Sequence, residues 1–278
     1  MGTLPEITVE TEKNGYIVGS VKSSSFTMSY ACFGSGRRNF IILPGVSIKK
    51  VTPSAPAIKA QYSLLLEKYT VWVFDRIDHA PEDYSVRDMA ADTAAAMDAL
   101  GIKSAVAYGV SQGGMIAQYL AIDYPRLVDA LVLGSTFAKF NSTYIDIAEK
   151  WIKLAESRQE RSLAELFGQA VYSPEIWSKY GEGVIAANSN ITDEEYRQFI
   201  IMSKAIFTFD CTGEINKITC PAIVIGSEGD RAVDPAGSYE LAELLGCEIY
   251  MYGTEYGHGV YDEAPDYVQR VLDFLNRI

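Results

Sequence analysis

The stretch Gly109-Val110-Ser111-Gln112-Gly113 decides how this chain is interpreted, because of what lies on either side of it. The apolar segment 104–110 is typical of a strand, and segment 112–124, which follows the serine, has the pattern of a helix. A tight, strained turn between a strand and a helix leaves almost no room for side chains two residues before and after its centre. Glycine stands at both of those positions. The stretch therefore predicts a nucleophilic serine, Ser111.

Strands and helices alternate around this stretch. Apolar strands are predicted at 40–43, 70–74, 104–110 and 130–134, and helices at 55–68, at 112–124 and from the capping box Ser85–Asp88 to Leu100. Continuous apolar strands of this kind are buried on both faces of a parallel sheet. The alternation predicts an α/β fold with a mostly parallel, doubly wound sheet. Several β-rich segments within residues 6–34 predict an antiparallel N-terminal meander.

The alternation stops over residues 137–215, which have a helical pattern without a strong strand. It resumes with a strand at 221–226, a helix at 237–245, a strand at 248–252 and a last helix over about 264–277. The helical segment carries a wide apolar face that includes Ile145, Ala148, Trp151, Ile152 and Leu154. Such a face must cover something, and we expect it to cover the mouth of a cleft above the sheet.

A serine hydroxyl needs a base and an orienting acid to become a nucleophile near neutral pH. Of the two histidines, His258 lies between glycines directly after the last strand, whereas His79 is expected to be an exposed loop residue. Asp230 follows strand 221–226 and is the favoured acid. The same loop holds two competing acids, Glu228 and Asp234, and Asp234 before Pro235 also suits a helix cap.

An oxyanion formed at Ser111 needs backbone N–H donors. The amide of Gln112, the residue after the serine, is the first candidate. The second is the amide of Val46, in the loop after strand 40–43, with Ser47 as the alternative. Pro44 in that loop has no N–H to donate.

The composition excludes several classes of protein. The net charge is −12, which argues against binding to nucleic acid or to anionic membrane surfaces. No run of about 18 apolar residues is present, and Met1–Glu6 lacks the regions of a signal peptide. The four scattered cysteines predict apolar packing in a reducing cytoplasm, and two histidines nearly exclude a histidine-based zinc site.

With these motifs in place, the chain resembles the α/β-hydrolase superfamily over roughly residues 26–136 and 216–278. The likeness rests on four motifs in the family's order: Leu43-Pro44-Gly45, Gly109–Gly114, Ile223–Gly226 leading to Asp230-Arg231, and Gly257-His258 followed by Glu263, Pro265, Val268 and Phe274-Leu275. The resemblance implies a core domain of residues 1–136 and 216–278 with residues 137–215 inserted as a helical cap.

The chain also departs from the family pattern. Pro44 replaces the usual histidine before Gly45, and the usual glycine turn is missing after Asp75-Arg76. Asp230 lies one residue later after its strand than is common, which keeps Asp234 as a rival. A serine at the nucleophile position, in place of aspartate, disfavours epoxide hydrolases and haloalkane dehalogenases.

The resemblance implies a cytoplasmic serine hydrolase that acts on a small carboxylic ester or a related acyl compound. Ser111, His258 and Asp230 would form the triad, with the amides of Gln112 and Val46 as oxyanion donors. No metal or organic cofactor is implied, and the expected partner is a small acyl substrate. The alternatives are a thioester, an amide or the carbon–carbon bond of a β-diketone-like compound, or a receptor that binds a small molecule without turning it over.

Overall fold

A computed structural model of the chain describes residues 5–278, and a nine-stranded sheet runs through it. The strands are β1 (Glu6–Lys13), β2 (Tyr16–Lys22), β3 (Thr27–Phe33), β4 (Arg38–Leu43), β5 (Tyr69–Ile77), β6 (Ala105–Val110), β7 (Val128–Gly134), β8 (Ala222–Ser227) and β9 (Glu248–Tyr252). Their spatial order is β1-β2-β3-β5-β4-β6-β7-β8-β9. Strands β1 to β3 pair antiparallel, as does β3 with β5, and all other pairs are parallel. The predicted mostly parallel sheet with an antiparallel meander is therefore confirmed.

Ten α-helices are formed by the described residues. They are α1 (Ala55–Gln61), α2 (Val86–Ala99), α3 (Gln112–Asp123), α4 (Ser142–Glu156), α5 (Glu160–Val171), α6 (Pro174–Ala187), α7 (Asp193–Ala205), α8 (Pro235–Leu245), α9 (Val260–Glu263) and α10 (Tyr267–Leu275). Two apolar clusters bury the sheet from opposite faces, and every residue of β6 is buried. The capping box at the start of α2 is confirmed, with Ser85 Oγ accepting from the Asp88 amide at 3.1 Å.

Two predicted helix bounds are wrong. The helix expected over 55–68 ends at Gln61, and a short 3₁₀ turn over 63–65 follows, which leads the chain back towards β5. The last helix begins at Tyr267 rather than 264. Ala264 precedes a proline and has an extended backbone (φ −84°, ψ 119°), which separates α10 from the short α9.

The segment between β7 and β8 is helical, as predicted, and contains α4 to α7. The face of α4 formed by Tyr144, Ala148, Trp151, Ile152 and Ala155 is buried. The two ends of the segment meet, because the Phe140 amide donates to Phe209 O and the Cys211 amide donates to Ala138 O, both at 2.9 Å. These bonds close the base of the segment against the sheet.

None of the helices formed by residues 5–278 combines the length and the apolar character that crossing a bilayer would require.

Candidate active site

Ser111 lies in a strained turn between β6 and α3. Its backbone has a φ of 54° and a ψ of −124°, a conformation that is rare for a residue with a side chain. A Cβ atom at Gly113 would come within 1.8 Å of Leu43 O, and one at Gly109 within 2.2 Å of Gly113 O. Glycine is therefore required on both sides, as the sequence predicted for a turn that exposes a serine.

His258 and Asp230 are joined by a hydrogen bond of 2.7 Å between Nδ1 and Oδ2. Both side chains are buried, with exposed fractions of 7% and 3%. The other carboxylate oxygen, Asp230 Oδ1, accepts from the amides of Ala232 and Val233 at 2.8 and 3.0 Å. The carboxylate is thus fixed from three sides and holds a proton on Nδ1, which leaves Nε2 of His258 free to accept one.

The two competing acids have other partners. Asp234 Oδ1 accepts from the Ala236 amide at 3.0 Å and caps α8, the role that the sequence offered as its alternative. Glu228 accepts a hydrogen bond from the hydroxyl of Tyr239. Of the three acids in the loop after β8, the structure brings Asp230 to His258.

Two residues directly after β7 support this geometry and were missed from the sequence. Ser135 Oγ donates to His258 O at 2.9 Å, and Thr136 Oγ1 donates to Ser111 O at 2.8 Å. Both side chains are buried. The available signal was their position, since polar residues directly after a buried parallel strand lie at the edge of the sheet where Ser111 and His258 are found.

The loop after β4 passes directly over Ser111. A Cβ atom at Gly45 would lie 3.0 Å from Ser111 Cβ and 3.5 Å from its Oγ. Among residues 5–278 no acceptor is found for the amide of Val46, the next residue. The amide of Gln112 is at the first position of α3, where helix amides have no partner within the helix. The positive end of the helix dipole also points to this place.

Arg76, at the end of β5, connects this loop to the turn. Its Nη2 donates to Pro44 O at 2.5 Å and to Gln112 Oε1 at 3.5 Å. Burial lowers the pKa of Arg76 to about 10. Gln112 also donates from Nε2 to Met202 O in α7 at 2.6 Å. No role was predicted for Arg76 from the sequence, in which only the missing glycine turn after Asp75-Arg76 was noted, although a charged residue at the end of an apolar strand was a signal.

A cavity of about 420 Å³ has both Ser111 and His258 in its wall. The helical segment between β7 and β8 supplies further residues of the wall, including Tyr144, Trp151, Phe167 and Tyr172. The aromatic residue Trp177 packs instead around Gly168 and Gly181. The cavity is therefore lined largely by apolar and aromatic side chains, as is typical of small-molecule sites.

A second cavity, of about 650 Å³, shares the loop after β4 and reaches Arg76 and His79. The His79 side chain is 81% exposed, as expected, and its Nδ1 lies 3.0 Å from Glu194 Oε1. In the part of the chain that the structure describes, no three His, Cys, Asp or Glu side chains come together in a way that could hold a metal ion.

Comparison with known proteins agrees with this architecture. The chain is 22% identical over 243 residues to the 3-oxoadipate enol-lactonase 2 of Acinetobacter baylyi, which covers 84% of this chain and 86% of that protein. The crystal structure of MGS-M2, an α/β hydrolase from a deep-sea metagenome library, superimposes with a TM-score of 0.80 at 21% identity over 97% of both chains. The enol-lactonase from Burkholderia xenovorans LB400 gives a TM-score of 0.79 at 18% identity, over 91% of this chain and 98% of that one. The family described as alpha/beta hydrolase fold matches residues 54–265, and the chain belongs to this family.

Proposed function

We propose that the protein is a serine hydrolase that cleaves a small carboxylic ester, with Ser111 as nucleophile, His258 as general base and acid, and Asp230 as the group that orients His258. The observation that carries the proposal is the buried 2.7 Å bond from Asp230 to His258, because His258 lines the same cavity as Ser111 with its strained turn. A buried carboxylate, an imidazole and a strained serine around one cavity are the parts that acyl transfer requires.

In the first half of the reaction, Ser111 Oγ attacks the carbonyl carbon of the ester and its proton passes to His258 Nε2. The carbonyl oxygen becomes an oxyanion, which accepts hydrogen bonds from the amides of Gln112 and Val46. Asp230 stabilises the imidazolium without taking up its proton. The C–O bond to the alcohol then breaks, and the alcohol leaves with the proton that His258 returns.

In the second half, water attacks the acyl-enzyme. His258 accepts one proton of the water, a second oxyanion forms at the same amides, and its collapse releases the acid. The proton on His258 returns to Ser111 Oγ. The cycle consumes one water and needs no metal or organic cofactor.

The substrate is a small acyl compound that fits a mostly apolar cavity. We assign residues 137–215 as a helical cap over a core domain of residues 1–136 and 216–278, because side chains of that segment line the cavity with Ser111. The name of the Acinetobacter relative, an enol-lactonase, supports an ester or a lactone, which is a cyclic ester. The free cysteines Cys32, Cys211, Cys220 and Cys247 support a place in the cytoplasm.

Covalent labelling with a fluorophosphonate tests the nucleophile. We expect the wild type to be labelled on Ser111, and the variant Ser111→Ala to take up no label. A panel of methyl esters, lactones, thioesters, amides and β-diketones then separates ester hydrolysis from its alternatives. Labelling of another residue would overturn the assignment of Ser111. Turnover confined to the β-diketones, thioesters or amides would overturn ester hydrolysis, and labelling without any turnover would favour a receptor.

A further inference from the structure

The cavity that contains Ser111 extends to a carboxylate that the triad does not use. Among the described residues that line it, Asp262 is the only acidic one. Asp262 lies on α9, four residues after His258 in the chain. Apolar and aromatic side chains line the same cavity, among them Ile58, Tyr62, Tyr108 and Tyr261. A molecule whose carbonyl is at Ser111 could therefore extend along an apolar wall to Asp262.

The protein supplies only some of the hydrogen bonds that the Asp262 carboxylate can accept. Gln61 Nε2 donates to Oδ1 at 3.0 Å, and the Tyr172 hydroxyl donates to Oδ2 at the long distance of 3.4 Å. Both donors are neutral, whereas an ionised carboxylate has about four acceptor sites. No ion pair to Asp262 is found within residues 5–278. At least two acceptor sites remain for a ligand.

The two lysines of the cavity wall do not fill this gap, because both are held elsewhere. Lys49 Nζ donates to Ser189 O at 2.6 Å, and Lys50 Nζ lies 2.5 Å from Asp78 Oδ1. With a net charge of −12, the chain as a whole offers no surplus of cations.

Asp262 has accessible surface and no cation beside it, while protein groups on several sides shift its titration. Burial raises the pKa of Asp262 to about 6, so that the group is still mostly ionised near pH 7.5. The other titratable groups close to it are neutral phenols or like charges: Tyr62, Tyr172, Tyr261, Tyr267 and Glu263. A carboxylate that lines a cavity, keeps free acceptor sites and lacks a cation is a candidate for binding a cation.

We propose that Asp262, together with Gln61 and Tyr172, binds the ammonium group of the substrate, so that the protein prefers esters with a primary amine at the far end of an apolar chain. A primary ammonium has three N–H donors. The Asp262 carboxylate accepts one or two of them. Gln61 Nε2 donates both to Asp262 Oδ1 and to Tyr261 O at 2.7 Å, which fixes the amide and leaves Gln61 Oε1 to accept another. The preference for amino esters rests on the proposed function, whereas the binding of an ammonium group does not.

The first experiment compares matched methyl esters in which –NH₃⁺ replaces –CH₃, such as methyl 6-aminohexanoate and methyl heptanoate, with chain lengths of four to eight carbons in the acid. Release of acid is followed at constant pH 7.5. We expect the ratio of kcat/KM, amino ester over alkyl ester, to exceed about ten at the best length, because a charge-assisted hydrogen bond is worth at least one factor of ten. Asp262→Asn should lower this ratio at least about tenfold.

Asp273→Asn is the matched control, since Asp273 is an exposed acid on α10 away from the cavity. It should keep the ratio of the wild type. A wild-type ratio of one or less at every chain length would overturn the preference for amino esters, and so would an equal ratio in wild type and Asp262→Asn.

The second experiment does not depend on turnover. Calorimetry with Ser111→Ala should detect binding of hexylammonium and much weaker binding of hexanol, and adding Asp262→Asn should abolish the difference. If no ester is hydrolysed, the proposed function fails while this measurement still decides the ammonium site. Equal binding of hexylammonium and hexanol would overturn the site even if esters are hydrolysed.

Discussion

Two carboxylates near the Ser111 cavity are in opposite situations: Asp230 lies behind His258, at what we call the triad end, and Asp262 lines the cavity wall, at what we call the Asp262 end. At the triad end, Asp230 accepts three hydrogen bonds, all from the protein, and its side chain is 3% exposed. At the other end, Asp262 accepts two bonds from neutral side chains and is accessible from the cavity. The first arrangement fixes a geometry before the substrate arrives. The second leaves acceptor sites that a ligand can fill. In the proposed enzyme, the catalytic groups are therefore held in place before the substrate binds. Selectivity for the substrate depends on the acceptor sites of Asp262 that the protein leaves without a hydrogen bond.

The largest effect is expected at the triad end, from Ser111→Ala. Hydrolysis of a methyl ester should fall by on the order of 10⁴ or more, because only the oxyanion amides and substrate binding remain. Ser142→Ala provides the control, since this serine is exposed at the start of α4 and does not line the cavity. Steady-state kinetics on both variants check the prediction. A Ser111→Ala enzyme within tenfold of the wild type would remove the nucleophile from the proposal.

The acid should matter almost as much as the serine. Asp230→Asn can no longer hold the proton on His258 Nδ1, and a loss of about 10⁴ in kcat is expected. Asp234→Asn is the matched variant in the same loop. Asparagine caps helices as well as aspartate does, so its activity should stay within a few fold of the wild type. The reverse order of the two losses, measured under identical conditions, would transfer the role to Asp234.

The triad end was also the part of the site that the sequence predicted best. The need for glycine at 109 is local to the turn, since a Cβ atom there would meet Gly113 O, and the strand ends around the turn are set by apolar runs. The clash that requires Gly113 is with Leu43 of β4, but the sequence pattern of the turn already indicated both glycines. Ser135 and Thr136 could not be identified in the same way. Their hydroxyls reach His258 and Ser111 only after β7 has paired with β6, which is a tertiary event.

The Asp262 end could not be predicted from sequence, because its three residues are far apart in the chain. Gln61 is the last residue of a helix that ends earlier than its pattern suggested, Tyr172 directly follows α5, and Asp262 belongs to a helix of four residues. The segment between β7 and β8 was correctly predicted to be helical. Which of its aromatic residues face the cavity depends on how the helices pack, and the sequence pattern does not show this. Trp177 has the same character as Trp151 in the sequence and packs elsewhere.

A smaller effect than those of the triad is expected from Arg76, whose Nη2 holds Pro44 O at 2.5 Å and so positions the loop above Ser111. Arg76→Leu should lower kcat by roughly 10- to 100-fold, less than or similar to the loss of one oxyanion donor. KM should change little, and affinity for a boronic acid that mimics the tetrahedral intermediate should fall in parallel with kcat. A rise in KM with kcat intact would instead place Arg76 in substrate binding.

The control for Arg76 is Arg87→Leu. Arg87 is bound to Asp123 and Glu214 on the surface, away from the cavity. It should keep the kcat and the boronic acid affinity of the wild type. If both arginine variants lose activity together with thermal stability, the effect of Arg76 is on folding and its positioning role is wrong.

The smallest effect, and the one that separates the two ends most sharply, is the pH dependence of the preference for the ammonium group. Burial raises the pKa of Asp262 to about 6, so the carboxylate is present above this pH and is protonated below it. The kcat/KM ratio of amino ester to alkyl ester should therefore rise as the pH increases through about 6 and level off above 7.

The amine of the ester stays protonated throughout this range. A protonation that slows both esters equally cancels in the ratio, which leaves Asp262 as the group that the ratio reports. In Asp262→Asn the ratio should be flat between pH 5 and 8. A ratio that changes equally in wild type and Asp262→Asn would mean that another group titrates, and a flat wild-type ratio would show that Asp262 does not bind the ammonium group.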